Sequence, residues 1–146
     1  GENKMPSPFQ TRQIARQIGG PTYSPTTIAA TKAITGGDDG TTFNVTQAAY
    51  TITLPAISTI SAGWNVTFNL TTAASHNTVV AAATADADKI FGVHIDASPT
   101  AVDAADNVTF ASGTAVLNDR MYFECDGTRW FCQTISAANG GITSAG

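Results

Sequence analysis

The sequence predicts an all-β protein, with antiparallel strands in a β-sandwich, jelly-roll-like or barrel body, preceded by an N-terminal arm with a short helix. From Thr26 onward, short runs of strand-forming residues are separated by Gly, Asp, Asn or Pro clusters. Residues 64–70 alternate, with apolar residues at even positions and Asn or Thr at odd positions, so that one face is buried and the other solvated. Asp126–Gly127 lies between two runs rich in aromatic residues and predicts a tight hairpin turn. A chain of 146 residues buries one core of ordinary size, so we expect a single domain with appendages.

The N-terminal arm begins with a helix signal. Residues 7–10, Ser-Pro-Phe-Gln, combine an N-cap serine, a proline at the first helical position and a glutamine that completes a capping box. Ile14 and Ile18 then lie one turn apart, and two glycines follow. We therefore predict a helix over residues 8–18, which is too short to be stable without a surface to lie on.

The chain divides into an arm (residues 1–25), a β body (26–136) and a flexible, Gly-rich C-terminal tail (137–146). Within the body, residues 96–106 have the Ala, Ser, Pro and Asp composition of a long loop. No internal repeat of fixed period stands out. We predict strands near residues 28–34, 41–46, 50–54, 64–72, 77–83, 89–95, 107–111, 114–117, 119–126 and 128–135.

The charge of the chain is unevenly distributed. The formal net charge is −4, but residues 1–16 carry +2 and the remainder −6. The arm could therefore bind an acidic neighbour, or it could be a solvated tail. An acidic body is a poor match for nucleic acid, and no apolar run approaches the length of a membrane span, so we expect neither partner. The N-terminus also lacks the apolar core of a signal peptide.

Cys125 and Cys132 lie on the two strands of the predicted hairpin, on the same side but offset along it. This is poor geometry for a disulfide, so we favour two small buried hydrophobic residues over a bridge. Trp64 and Trp130 are expected in the core rather than on a sugar-binding surface.

No catalytic constellation is evident. His76 and His94 lack a partner at motif spacing and are predicted to be exposed turn and strand-end residues. A small hydrolase would need a cleft joining one of them to an acid. The acidic pairs Asp38–Asp39, Asp86 with Asp88, and Asp103 with Asp106 lack a calcium-loop spacing, and we expect turn-capping roles for them. We predict no catalytic residues, no metal and no cofactor.

Several short motifs occur in a characteristic order. They are Thr51–Pro55, Gly63 before Trp64–Leu70, Asp106–Phe110, the closing hairpin Asp119–Phe123 with Asp126–Trp130, and Gly140–Thr143. In order and spacing they resemble the small β-rich virion proteins of tailed bacteriophages that decorate or cement the capsid. The resemblance covers about residues 35–146, and neither the arm nor Cys132 belongs to it.

This resemblance implies a non-enzymatic decoration or cement protein on the outer surface of the phage capsid, assembled in the bacterial host cytoplasm. Its partners would be the major capsid protein and neighbouring copies of itself in a homotrimer. It would stabilise the head shell by binding the assembled lattice.

The arm is the segment that we expect to bind the shell or an adjacent copy. Phe9, Ile14 and Ile18 are its apolar anchors, and Arg12 and Arg16 are its charge contacts. The alternative is a head-fibre or tail-associated adhesion module that binds host surface glycans, because a fold does not determine its function. That alternative predicts exposed aromatic residues in a groove.

Overall fold

The computed structural model describes residues 25–46, 48–73 and 75–146, and these residues confirm the all-β class. Twelve strands and three short 3₁₀ turns, Gly36–Asp38, Ile57–Thr59 and Thr84–Asp86, make up its regular structure. The strands are β1 (Thr26–Ile28), β2 (Lys32–Ala33), β3 (Thr41–Val45), β4 (Tyr50–Thr53), β5 (Asn65–Leu70), β6 (Thr78–Ala81), β7 (Ile90–Ile95), β8 (Thr100–Ala105), β9 (Asn107–Phe110), β10 (Arg120–Cys125), β11 (Trp130–Ile135) and β12 (Ile142–Ala145).

The strands form two open sheets. The seven-stranded sheet has the order β1-β3-β5-β10-β11-β7-β8, and the five-stranded sheet the order β12-β9-β6-β4-β2. The prediction of antiparallel strands is wrong for half of the molecule, because β1, β3 and β5 are mutually parallel, as are β2, β4 and β6. Each sheet has two edge strands, so the body is not a closed barrel.

The parallel pairing arises because the chain alternates between the two sheets from β1 to β6. Each strand therefore pairs with the strand two before it in the chain, in the same sheet and in the same direction. We call residues 26–81 the coiled half. Thr26 pairs with Phe43, 17 positions later, whereas Phe43 pairs with Phe68, 25 positions later. Because these offsets differ, the stacking leaves no fixed period in the sequence.

Residues 90–145, the hairpin half, are joined mainly by antiparallel pairs. Strands β7 and β8 are antiparallel neighbours, β10 pairs with both β5 and β11, and β9 lies between β6 and β12. The predicted Asp126–Gly127 hairpin is confirmed: Asp126 Oδ1 accepts hydrogen bonds from the backbone amides of Thr128 and Arg129 at 2.8 and 2.7 Å. Strand β11 then runs parallel to β7, which connects the two hairpins in one sheet.

Inward-facing residues of both sheets form one hydrophobic cluster, as in a sandwich-like arrangement. The Phe68 ring lies 5.9 Å from that of Phe43 and 6.0 Å from that of Phe123. Trp64 and Trp130 are both buried and meet edge to face at 5.6 Å, which confirms their predicted place in the core.

Four segment predictions are corrected. In place of the predicted strand at 28–34 there are two short strands, β1 and β2. Residues 114–117 are not a strand, and a turn precedes them in which the Ala115 amide donates a hydrogen bond to the Ala111 carbonyl at 2.9 Å. Residues 100–105, predicted as loop, form β8 because pairing with β7 outweighs their weak strand propensity. The predicted flexible tail contains β12, which pairs with β9 along Ile142–Ala145.

Cys125 and Cys132 are buried and unpaired, as predicted. Cys125 pairs along the ladder with Trp130, and Cys132 with Phe123, so the two sulfurs are offset. Burial raises the pKa of the Cys125 thiol and raises that of Cys132 to about 12, so both stay protonated and unreactive.

The predicted arm helix at 8–18 lies outside the described residues. In the part of the chain that the structure describes, no helix is long and apolar enough to cross a membrane.

Candidate functional site

The five predicted binding residues of the arm lie outside the residues that the structure describes. They are Phe9, Arg12, Ile14, Arg16 and Ile18. Among the described residues, the most distinctive surface is the outer face of the seven-stranded sheet, which sequence reasoning did not single out.

Alternation along the strands separates this outer face from the core. One cross-strand row points inward and is buried throughout: Phe43, Phe68, Met121, Thr134 and His94. The neighbouring positions point outward and form three rows. The rows are Thr27, Asn44, Asn69, Arg120, Ile135 and Ile95; then Thr42, Thr67, Tyr122, Gln133, Val93 and Ala101; then Asn65, Glu124, Phe131 and Phe91.

These rows change character across the sheet. Over β1, β3 and β5 every outward member is Thr or Asn, whereas over β11 and β7 all but Gln133 are apolar. We define the apolar half-face as Phe91, Val93, Ile95, Phe131 and Ile135. The first three are partly buried, whereas Phe131 and Ile135 are 45% and 52% exposed.

The two ends of the apolar half-face differ. At one end Phe91 pairs with Phe131, and the Arg129 guanidinium lies 5.6 Å and 6.0 Å from the two ring centres. Arg129 is also 3.5 Å from the Asp126 carboxylate, which holds it near the hairpin turn. At the other end Ile95 pairs with Ile135. The Arg129 guanidinium therefore covers the end formed by Phe91 and Phe131, whereas Ile135 at the other end stays exposed to solvent.

An open trough of about 380 Å³ crosses the outer face from β3 to β11. Within it, Arg120 Nε donates a hydrogen bond to Asn69 Oδ1 at 2.8 Å, which keeps the guanidinium low on the sheet. The trough ends at Ile135, so it joins the apolar half-face. It is lined by Thr42, Thr67, Asn69, Arg120, Tyr122, Gln133 and Ile135.

Gly92 brings β7 against β11 and so aligns the apolar half-face. A Cβ at this position would lie 1.8 Å from the Cys132 carbonyl oxygen, and the backbone has φ of +151°. The ladder between β7 and β8 also shifts register between Ile90 and Gly92. Only glycine fits such an approach, and the irregularity lies next to Phe91 and its exposed cross-strand partner Phe131.

His94 is buried, which corrects its prediction as an exposed strand-end residue. Its Nδ1 lies 2.8 Å from the buried Thr134 hydroxyl, while Nε2 has no hydrogen-bond partner within the described structure. Burial lowers the pKa of His94, opposed by the negative charge of Asp96. With Nδ1 bonded to a core hydroxyl and Nε2 enclosed, His94 has the place of a core residue rather than of a general base.

The predicted turn-capping role is confirmed for Asp38, which accepts a hydrogen bond of 2.8 Å from the Thr35 amide three residues away. Asp86 and Asp106 instead join distant segments, because they accept hydrogen bonds of 2.8 and 2.7 Å from the amides of Ile57 and Asp88. Across the described ranges, no group of three or more His, Cys, Asp or Glu residues is placed to hold a metal.

The apolar half-face has a signal in the sequence. Residues 130–135 alternate between faces, but Phe131 and Ile135 on the outer face are as apolar as Trp130 and Cys132 on the inner one. A strand that follows a solvated hairpin turn and has apolar residues on both faces indicates a surface that another protein segment covers.

No protein-family model matches this chain, and neither curated proteins nor solved structures show a match to it. The motif resemblance therefore stays a prediction.

Proposed function

We propose that this protein is a non-enzymatic decoration or cement protein of a tailed-bacteriophage head, bound to the outer surface of the shell as a homotrimer. The observation that carries the proposal is the apolar half-face, a continuous apolar surface that includes the half-exposed Phe131 and Ile135, on a sheet whose remaining outer positions are polar apart from Ala101. Surfaces of this kind mark contacts between proteins.

The motif residues on which the resemblance rests stabilise the fold, and they do not indicate which partner the protein binds. Met121, Phe123 and Trp130 are fully buried, and Asp126 caps the hairpin turn. Asp119 is also buried and accepts hydrogen bonds from Val116, Ser136 and Ala137. Because these side chains build the fold, the partner has to be argued from the surface and from the arm.

The proposed mechanism is stabilisation by mass action. A protein that binds the assembled lattice and not the free capsid subunits stabilises that lattice by the free energy of binding at each site. Apolar anchors Phe9, Ile14 and Ile18 would bury themselves against the shell or a neighbouring copy, and Arg12 and Arg16 would contact acidic groups there. The opposite signs of the arm and body fit contacts between successive copies.

The test is co-sedimentation with expanded empty capsids. The wild-type protein is expected to saturate the shells at a fixed ratio, and Ile14→Asp to weaken binding at least about tenfold, because a charge replaces a buried apolar anchor. Gln13→Asp, which adds the same charge beside the predicted anchor, is the matched control and retains binding. Full occupancy by Ile14→Asp would remove the arm from the mechanism, and no binding by the wild type would reject the decoration function.

Tyr122 favours a second candidate function, the glycan-binding adhesion module. Its ring lines the trough beside Asn69, Gln133 and Arg120, and its hydroxyl donates a hydrogen bond to Glu124 at 2.9 Å. An aromatic ring among amide and guanidinium groups is a usual surface for a sugar. This candidate predicts binding to bacterial surface polysaccharide that Tyr122→Ala abolishes and Ile14→Asp does not change.

A further inference from the structure

The apolar half-face leaves Phe131 and Ile135 about half exposed, with three more apolar side chains beside them. We propose that residues 8–18 of the same chain lie along β7 and β11 on this surface in the free protein, and that residues 19–24 cross the trough to reach it. The occupant of the apolar half-face is thus the arm of its own subunit.

The first argument is that the connector between the arm helix and β1 is long enough to reach β11. The described chain begins at Pro25, just before edge strand β1. Strand β11 is four strand spacings from β1, which is about 19 Å at roughly 4.8 Å per spacing. The seven residues from Ile18 to Pro25 span up to about 23 Å at roughly 3.3 Å each. Ile18 can therefore reach β11 if the connector from Ile18 to Pro25 is almost fully extended and takes a direct path across the sheet.

The trough is the second argument, because it supplies the path. It begins at Thr42 on β3, the strand beside β1, and ends at Ile135 on β11. Its lining is mainly hydroxyl, amide and guanidinium groups, which can hydrogen-bond the backbone of an extended connector. Residues 19–24, Gly-Gly-Pro-Thr-Tyr-Ser, contain no charge that would have to be buried there.

Size and chemistry are the third argument. A helix of residues 8–18 is about 16 Å long, and the strand segment from Phe131 to Ile135 spans about 13 Å. Ile14 and Ile18, about 6 Å apart on one helix face, form an apolar stripe that can cover the surface between Phe131 and Ile135. The flanking residues Glu124 on β10 and Asp103 on β8 are exposed acids within a body of charge −6, whereas the arm carries Arg12 and Arg16.

This contact is separate from capsid binding, because it forms in the free protein before the protein binds a capsid. It keeps the apolar anchors of the arm and the apolar half-face covered in the free protein. When the protein binds the capsid lattice, the arm would leave the apolar half-face, and both apolar surfaces would become available together. Binding to the capsid would thus replace the contact within the protein by apolar contacts with the lattice.

Paramagnetic broadening on the full-length protein tests the contact without capsids, so its result is independent of the shell-binding test. A nitroxide is attached to Gln17→Cys, which reacts selectively because Cys125 and Cys132 are buried with raised pKa values. We expect strong broadening of the amide signals of Phe131 and Ile135, and little at Thr51 on the other sheet. Equal signals with and without the label at Phe131 and Ile135 would overturn the proposal.

A mixing experiment identifies the source of the arm. Isotope-labelled protein without nitroxide is mixed in urea with nitroxide-labelled protein of natural isotope content, and the mixture is refolded so that any trimers contain both kinds of subunit. Only contacts between subunits then broaden signals. No broadening is expected in this mixture. Broadening at Ile135 in the mixture would assign the surface to the arm of a second copy and overturn the same-chain contact.

Substitutions on the half-face complete the test. The double variant Phe131→Thr with Ile135→Thr keeps strand propensity on an outward face, and its unchanged core signals show that it folds. It is expected to lose the broadening and to be cut by trypsin after Arg16 about tenfold faster. Thr53→Ser, an outward change on β4 of the other sheet, is the matched control and leaves both readouts unchanged. Equal cleavage of the double variant and the wild type would contradict the proposal.

Discussion

The coiled half and the hairpin half share one core but are stabilised differently. In the coiled half, identical or similar apolar side chains stack in register, as Phe43 does on Phe68 and Val45 on Leu70. In the hairpin half, buried polar groups join the strands and turns, with Asp119, Thr134 and Ser136 all less than 9% exposed. The coiled half has fewer such groups: Thr78 is buried and its hydroxyl donates a hydrogen bond to the Ala48 carbonyl at 2.9 Å. The contrast is therefore one of degree, with more buried polar residues in the hairpin half.

The backbone shows the same contrast. Of the described residues, only Gly40 and Gly63 in the coiled half have positive φ. In the hairpin half and the turn before it the set is larger: Asp88, Gly92, Ala104, Gly113, Asn118, Gly127 and Gly140. The apolar half-face and its bulge also lie in the hairpin half, so the surface that we propose for contacts belongs to the less regular part of the fold.

Gly92→Ala should have the largest effect. Its Cβ would overlap the Cys132 carbonyl oxygen at 1.8 Å, so β7 and β11 must separate. We expect a loss of more than about 3 kcal/mol in the free energy of unfolding, or no folded protein. The measurement is urea unfolding followed by tryptophan fluorescence.

Gly40→Ala in the coiled half is the control for that prediction. It has φ of +70° but nothing within 4 Å of the added Cβ, so it should lose only about 1 kcal/mol. If the two variants were equally stable, the close approach of β7 to β11 would not be a feature of the folded protein.

Asp119→Ala should have the next largest effect. Asp119 accepts hydrogen bonds from the amides of Val116 and Ala137 at 3.0 Å and from the Ser136 hydroxyl at 2.8 Å, all at the base of the hairpin half. Their loss leaves buried donors unsatisfied, and we expect a decrease of about 2–4 kcal/mol by urea unfolding.

Asp38→Ala is the counterpart in the coiled half. Asp38 bonds the amide and hydroxyl of Thr35 at 2.8 and 3.1 Å, but on an exposed turn. A loss of about 1 kcal/mol or less is expected. Equal losses for the two aspartates would contradict the view that polar burial stabilises mainly the hairpin half.

The smallest effect concerns pH and His94. Burial lowers the pKa of His94 in the folded protein, so the unfolded chain, with a pKa near 6.5, takes up the proton first. The free energy of unfolding should therefore fall as pH decreases below about 6.5 and be insensitive to His94 above it. Urea unfolding at pH 7.5, 6 and 5 measures this slope.

The contribution of His94 to the pH dependence can be separated from that of the carboxylates. The pKa values of Asp96 and Asp126 are lowered by hydrogen bonds to their carboxylates from backbone amides, so their contributions are lost only at more acidic pH. His94→Gln should flatten the slope between pH 7.5 and 5. A slope unchanged in His94→Gln would assign the pH dependence elsewhere.

Local signals in the sequence were sufficient for much of the fold. The alternation at 64–70 predicted β5, and Asp126–Gly127 predicted the hairpin between β10 and β11, because both depend on neighbouring residues only. The buried, unpaired state of Cys125 and Cys132 followed from their offset across that hairpin. Strand β8 and edge strand β12 were missed, because their Ala-, Asp- and Ser-containing sequences have weak strand propensity and are ordered by the partner strands.

Strand alternation and turn chemistry act over a few residues, so the all-β class, the core tryptophans and the closing hairpin were predictable from the amino-acid sequence. The parallel stacking of the coiled half, the burial of His94 and the apolar half-face were not, and they emerge only in the folded molecule. Each of these depends on which strands become neighbours, and pairs such as Phe43 with Phe68 or Phe91 with Phe131 are brought together over 25 to 40 positions. Such pairing is selected by burial of the whole core, which no local pattern specifies.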